Sequence, residues 1–344
     1  MTKFLLTLPL VALVAACGGN GSGGNAGATI KIVGSSTVYP FTTAAAEDYM
    51  KANPGSRVIV ESTGTGAGMK LFCAGVGGKF PDAVDASRPM KASEYADCAK
   101  AGAKQIIEVP IGIDGLTLIE NKNSAPLNLT VADIYKALAA NPFGKPNTAK
   151  TWHDVNPALP ATTIRVLGPP PTSGTRDSLA DLILTKGCET DPAMKELKKA
   201  DEKRQKDICT KIREDGAYVE AGENDNLLVQ KVSGDAGTLG VLGFSYLEAN
   251  QDKVKAVSLA GVAPTEATIA DLSYPGSRKL FVYIKGEHLV VKPKLKDFIA
   301  AYSKLWSTGG VREKRGLVPF GGSDAAAATA QAAAMKPLDP ATLK

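Results

Sequence analysis

The chain has 344 residues, 44% hydrophobic and 22% charged, enough for two ordinary domains with full cores. Those proportions exclude a disordered chain and a protein of many membrane spans, and 35 Gly and 21 Pro without a repeating period exclude collagen. The net charge of +5 (40 Lys and Arg against 35 Asp and Glu) is small and scattered, whereas a nucleic-acid binder carries a basic stripe. The two histidines, His153 and His288, are far apart and neither sits in a motif, which argues against a His-based metal centre or a Ser–His–acid triad.

Residues 1–17 read as an export signal: Lys3 precedes a 13-residue apolar stretch, 4–16, too short to span a bilayer. It ends Val14-Ala15-Ala16-Cys17, the pattern of a bacterial lipoprotein signal, so Cys17 is expected to be lipidated and to become the first residue. Residues 18–28 are Gly-rich and cannot form a core, which makes them a flexible tether.

From there short β-branched runs alternate with helical stretches, the pattern of an α/β fold with parallel sheets. A strand at 30–33 leads into Gly34-Ser35-Ser36-Thr37 and a helix over 40–51. A second strand at 57–61 leads into Thr63-Gly64-Thr65-Gly66 and a helix over 67–73. A third strand near 82–86 runs into Ser87-Arg88, and Ser93 is expected to cap a helix ending near 101. The apolar run 106–119, interrupted by Pro110 and by Asp114-Gly115, is placed at a crossover between domains.

The second domain is expected to hold a helix over 131–139 and a strand at 164–167, followed by Pro169-Pro170-Pro171-Thr172-Ser173-Gly174-Thr175. A helix over 176–186 then shows Leu179, Leu182 and Ile183 on one face, with Gly187 as its stop. Residues 193–213 read as a charge-rich helix with a solvated lysine face. The run 280–285 is a strong strand returning to the first domain, 294–308 is an amphipathic helix, and the Ala-rich 321–344 is expected to be a disordered tail. Four cysteines remain, Cys73, Cys98, Cys188 and Cys209. In an exported chain they suggest two disulfides, with the local pairs Cys73–Cys98 and Cys188–Cys209 preferred among three pairings.

One device occurs three times: a strand, a loop of Gly and hydroxyl residues, then a helix. The loops hold Ser36 and Thr37, Gly64 and Thr65, and Ser173, Gly174 and Thr175. A helix N-terminus offers free N–H groups and a partial positive charge, Gly allows close approach, and Ser or Thr adds a hydroxyl donor. Such loops, lying beyond the carboxyl ends of strands in both halves, point to one bound anion. Arg88, beside Ser87, and Arg176 are candidate cations, since a guanidinium forks onto an oxyanion.

These pieces resemble the periplasmic phosphate-binding protein of the bacterial phosphate-specific ABC transporter. The resemblance rests on GSSTVYPF (34–41), GTGAGMK (64–70), DASRP (85–89), GPPPTSGTRD (168–177) and GTLGVLGFSY (237–246), spread in order over about 30–320. It implies a two-lobed α/β fold of the type II periplasmic-binding class, each lobe a mixed, mainly parallel sheet flanked by helices. Lobe 1 would be 29–112 and 279–320, and lobe 2 would be 113–278. It implies that Ser36, Thr37 and the Val38 backbone hold one side of the phosphate, that Thr65 matches the second loop, and that Ser173, Gly174 and Thr175 match the third. Many members carry an Arg where this chain has Pro169, and some carry an Asp, accepting from protonated phosphate, where it has Arg88. The acidic acceptor is then open among Asp85, Asp114 and Asp225.

The expected function is phosphate binding and delivery to an ABC permease by a lipid-anchored periplasmic monomer. No cofactor, metal or nucleic acid is called for, and no activated nucleophile is visible. A sulfate or molybdate binder, a phosphate sensor and a phosphatase are the alternatives. A sulfate or molybdate site would lack an acidic acceptor, and a phosphatase would need a nucleophile or metal cluster.

Overall fold

The computed structural model describes residues 29–222, 224–304 and 317–343. The export signal with Cys17, the tether 18–28 and the end of the expected 294–308 helix lie outside the described residues.

The first lobe starts with β1 (Thr29–Gly34), which alternates half-buried and buried positions until it dives into the core. Helix α1 (Tyr39–Ala52) begins with Pro40 in its first turn, where the missing N–H costs nothing. Next come β2 (Arg57–Ser62), helix α2 (Thr65–Phe72) and β3 (Ala83–Ala86), whose four residues are all buried. Both β2 and β3 pair with β1 in parallel. Helix α3 (Ala92–Lys100) is preceded by Lys91, not capped by Ser93; the Glu94 carboxylate turns back to accept from the Lys91 amide at 2.9 Å.

The 16-residue β4 (Ile106–Asn121) runs without a break through the segment expected to be interrupted. Pro110 is tolerated because it lies at the register shift opposite Leu280 and Phe281, where the ladder is already irregular. Asp114 and Gly115 stay in the strand, facing Arg278 and Ser277. Strand β5 (Asn128–Leu129) belongs to a separate two-stranded sheet, and helix α4 (Val131–Leu138) starts at a Thr130 cap. The second lobe is built on β6 (Val166–Gly168), β7 (Tyr218–Glu220) and β8 (Leu239–Gly243), with β6 parallel to both neighbours. Strand β9 (Val254–Ala256) joins β4, and β10 (Ser258–Leu259) completes the small sheet with β5.

Strand β11 (Ser277–Lys285) lies antiparallel between β3 and β4, and β12 (Leu317–Val318) adds to β4. One curled sheet of ten strands thus runs β2-β1-β3-β11-β4-β8-β6-β7, with β9 and β12 attached to β4. Its two parallel ends are joined by the antiparallel pair β4 and β11, which makes the molecule two-lobed. One core packs Ile30, Ile32, Val109, Val282, Phe298 and Tyr302, with a second layer of Met69, Phe72, Val84 and Tyr283; the other lobe packs around Tyr135, Trp152, Ile183 and Val241.

Several local expectations change. The strand expected at 164–167 is β6, two residues later. The helix expected over 176–186 starts at Gly174 and continues through a wide π turn, Leu179–Leu184, to Cys188. Gly187 is inside it and is there for packing: a Cβ would lie 2.2 Å from the Val131 carbonyl oxygen on α4. The charge-rich stretch is two helices, Pro192–Ala200 and Glu202–Thr210, because Asp201 leaves helical geometry and caps the second through the Arg204 amide. The expected disordered tail contains a helix, Gly322–Ala334, with Ala328 and Ala332 buried. Alanine has the best helix propensity and packs closely without bulk, so a segment lacking aromatics can still dock.

Both local disulfides form, Cys73–Cys98 and Cys188–Cys209. The second closes the 21-residue separation around the two charged helices. Replacing Cys188 and Cys209 by Ser is expected to lower unfolding free energy by about 3 kcal/mol, read from the shift in denaturant midpoint.

Candidate anion-binding cleft

The carboxyl ends of the parallel strands in both lobes point into the cleft between them. At the end of β1, Gly34 has φ +135 and lies against the Asp85 backbone, where a Cβ would sit 2.2 Å from the carbonyl oxygen. The Ser35 amide donates to that oxygen at 2.9 Å, and the buried Ser35 hydroxyl accepts from the Val38 amide at 3.3 Å. Ser35 therefore shapes the turn, and Ser36 and Thr37 reach the other lobe. The Ser36 hydroxyl bonds to the Asp177 carboxylate, and the Thr37 hydroxyl donates to the Gly174 carbonyl at 3.1 Å.

At the end of β2, Gly64 adopts φ +77 and lets the chain enter α2. Thr65 Oγ1 accepts from the Ser87 amide at 3.1 Å and lies 3.0 Å from the Ser87 hydroxyl, so the second loop and the end of β3 are locked together. Arg88 does not stand free. Its guanidinium forks onto Glu94 at 2.7 and 2.9 Å and also donates to the Pro89 carbonyl, and the Glu94 bond raises its pKa.

In the second lobe, Ser173 caps the helix that starts at Gly174, accepting from the Thr175 amide at 3.2 Å. Arg176 lies over the Tyr218 ring, 4.6 Å from its centroid, and donates to the Pro169 carbonyl at 3.2 Å. These contacts hold it on the β6–β7 side of its helix. The cation joined to Thr37 is another residue, Arg278, at the start of β11. Its Nε donates to Asp114 at 3.1 Å and its Nη1 to Asp181 at 3.0 Å. Its Nη2 donates to the Ser178 hydroxyl at 2.7 Å and to the Thr37 hydroxyl at 3.0 Å. Ser178 in turn lies 2.7 Å from Asp114. The Arg278 side chain is only 9% exposed, so these charge-assisted bonds act where water screens them little.

The sequence reading missed Arg278, Asp177, Ser178 and Asp181, and a signal for each was present. Arg278 is the cross-strand partner of Asp114 in the β11–β4 register, an opposite-charge pair. Positions 174, 177, 178 and 181 follow i, i+3, i+4, i+7, a second helix face beside the apolar one.

The three acidic candidates occupy different environments. Asp114 is held by Arg278 and Ser178. Asp225 sits in the first turn of the helix Asp225–Ser233, and burial pushes its pKa up to about 6. Asp85 lies behind the first loop, 1% exposed, accepting from the Thr42 hydroxyl at 2.9 Å, which is also 2.9 Å from the Tyr302 hydroxyl. Burial pushes Asp85 up to about 8 from an ordinary 3.8, so the folded protein holds a proton there that the unfolded chain releases. Stability therefore falls as pH rises between those two values and levels off above the upper one. Asp85→Asn, which keeps the acceptor for Thr42, is expected to flatten that slope in unfolding midpoints measured from pH 4 to 9. Asp177 is also raised, chiefly by burial, with Asp181 adding to it.

The two lobes touch at these loops. A Cβ on Gly174 would lie 2.7 Å from the Ser36 carbonyl oxygen and 2.7 Å from Thr37 Cα. Two α/β lobes, two connecting strands and hydroxyl-rich helix N-termini meeting in the cleft define a two-lobed ligand-binding protein. A family model described as PBP superfamily domain matches residues 20–302, and the chain belongs to that superfamily. Among its relatives are Protein SphX of Synechococcus elongatus, 33% identical over 86% of this chain and 79% of that one, and the phosphate-binding protein PstS of Staphylococcus saprophyticus, 30% identical over 83% and 80%. A solved structure described as a possible phosphate binding protein from Planctomyces limnophilus is 30% identical, covers 89% of this chain and 98% of its own, and superposes with a TM-score of 0.71. An ABC-type phosphate transport receptor from Vibrio cholerae, 22% identical over 79% and 93%, shares the fold with a TM-score of 0.57.

Proposed function

We propose that this chain binds inorganic phosphate between its lobes and delivers it to the permease of an ABC transporter. The observation that carries the reading is the buried Arg278, whose Nη2 donates to Thr37 of one lobe and Ser178 of the other. An oxyanion entering here meets a guanidinium, the hydroxyls of Ser36 and Thr37, and the N-terminal turns at Val38 and at Ser173, Gly174 and Thr175. Thr65 with Gly64 and Ser87 forms the flank, and Arg88 stands by it on Glu94. Arg176 supports its loop through Pro169 and Tyr218. The names of the PstS relatives support phosphate as the ligand.

Asp177 takes the part of acidic acceptor in this reading, ahead of Asp85, Asp114 and Asp225. It sits on the cleft, bonded to Ser36, and its raised pKa suits sharing a proton with HPO4²⁻. Lobe 1 is taken as 29–112 and 279–320 and lobe 2 as 113–278, closing about β4 and β11. Cys17 carries a lipid that holds the chain at a bacterial membrane. Micromolar affinity needs about −8 kcal/mol, which a few charge-assisted bonds of roughly 1.5–3 kcal/mol each can provide while also offsetting closure.

Calorimetric titration with phosphate, after partial unfolding to strip bound anion, tests the reading. Tight one-to-one binding that excess sulfate does not displace is expected, and equal binding of sulfate or none of phosphate overturns it. Asp177→Asn is expected to narrow the preference for phosphate over sulfate by roughly tenfold or more.

A further inference from the structure

The face of the first lobe opposite the cleft carries an apolar feature that binding does not use. Val290 is 83% exposed and Val291 is 65% exposed, at the end of the helix Gly286–Val291. This helix is not loose. His288 Nδ1 bonds to the fully buried Asp82 at 2.6 Å, and its Nε2 accepts from the Gly77 amide at 2.8 Å. Lys292, the residue after the helix, donates to Asp82 at 2.9 Å and to the Thr29 carbonyl at 2.8 Å. A buried ionic anchor thus fixes two valines pointing outward, beside the first residue of β1.

Three features of that place bear on what covers the valines. Thr29 is where the Gly-rich segment 18–28 enters the fold, and the Lys292 bond ties it to the valine helix. Eleven residues of chain reach at most roughly 40 Å, so Cys17 lies within that distance of Thr29. The surroundings are basic: Lys79 and Lys294 are exposed, and Lys31 reaches the Gly78 carbonyl on the adjoining loop. Of the acidic residues in the described segments 77–82 and 286–297, Asp82 is buried, Glu287 is turned to the amides of Lys104 and Gln105, and Asp297 is exposed. Apolar side chains flanked by lysines suit the boundary between headgroups and acyl chains.

We propose that Val290 and Val291, with Lys79 and Lys294, form a membrane-contact patch that seats the first lobe on the lipid surface. The proposal rests on the lipoprotein reading of Cys17. Two valines bind lipid weakly when free in solution, but an anchor this close makes the contact intramolecular and raises its effective concentration. The carboxyl ends of β1, β2 and β3 point away from this face. Seated so, the cleft opens away from the lipid and collects anion from the compartment. Docking on a permease then requires the body to lift and turn on its tether.

The test uses the full chain with a fluorophore on a single added cysteine, Pro293→Cys beside the patch or Lys195→Cys on the second lobe. Mass spectrometry first reads the lipid on Cys17. If none is present the lipoprotein reading fails, and the patch is still tested with the chain held by an N-terminal histidine tag on chelating lipid. In protein-free vesicles of phosphatidylglycerol and phosphatidylethanolamine with a spin-labelled quenching lipid, emission at 293 is expected to fall by roughly half and emission at 195 hardly at all. V290E/V291E, which alters only exposed side chains, is expected to bring the 293 signal to the 195 level with phosphate binding unchanged. Equal quenching at both sites, or quenching that survives V290E/V291E, overturns the proposal. Protection of position 293 only in permease-containing vesicles, or only in a dimer that the double variant dissolves, also overturns it and assigns the valines to a protein partner.

Discussion

Arg278→Met is expected to weaken phosphate binding by about a hundredfold or more in calorimetric titration, a larger loss than Arg88→Met or Arg176→Met. Arg278 reaches hydroxyls of both lobes in the cleft, its Nη2 holding Thr37 and Ser178 at 3.0 and 2.7 Å. Arg88 is neutralised by a two-pronged bond to Glu94, and Arg176 is occupied by Pro169 and Tyr218. Removing Arg278 also leaves Asp114, 16% exposed at the side chain, without its cation. Breaking such a pair costs about 3–5 kcal/mol, so the single variant should also melt earlier. The double variant Arg278→Met/Asp114→Asn separates the two effects. It should regain much of the lost stability, because no buried charge is left unpaired and Asp181, the other carboxylate that Arg278 holds, is 52% exposed and can be solvated, and regain none of the affinity. Recovery of affinity in the double variant would show that Arg278 acts only as the partner of Asp114.

The strands of the first half, the helices after them and the three hydroxyl loops were legible because each uses local chemistry. A β-branched run followed by Gly, Ser and Thr and then a Pro-started helix has few other ways to fold. The disulfides were legible for the same reason, since each joins neighbours in sequence. What escaped reading depends on register between distant strands. Arg278 faces Asp114 only because β11 lies antiparallel on β4, and the boundary drawn between 278 and 279 separated the arginine from the strand that places it. The helix over 176–186 was read for Leu179, Leu182 and Ile183, so its polar face with Asp177, Ser178 and Asp181 went unused. Pro110 and Asp114-Gly115 looked like breaks because local propensity favours a turn there. A ladder of partners on both sides overrides that preference. The alanine-rich end shows the opposite failure: low bulk suggested disorder, yet small side chains are what let that helix lie close on β4.

Gly174→Ala is expected to hold the lobes apart and to raise the phosphate dissociation constant by roughly 30-fold or more, with little change in the melting temperature of the anion-free protein. No phosphate-binding hydroxyl or charge is removed, and the backbone amide at this position could still donate. Gly174 is the first residue of its helix, where alanine is at least as good a helix former, so the second lobe should fold normally. The conflict exists only across the cleft. The new methyl would lie 2.7 Å from the Ser36 carbonyl oxygen and 2.8 Å from its carbon. These are backbone atoms, held by the Ser35–Asp85 bond behind them, and no rotamer change relieves the overlap. The lobes must stay further apart, which lengthens the 3.1 Å bond from Thr37 to the Gly174 carbonyl and removes one lobe's donors from the anion. Loss of one or two charge-assisted bonds, at roughly 1.5–3 kcal/mol each, accounts for the expected change in affinity. Small-angle scattering gives the independent reading: wild type should contract when phosphate is added, and the variant should not. A variant that contracts normally and binds as tightly as wild type would mean that the anion is held without the two loops meeting, and that the Ser36–Gly174 contact plays no part in closure.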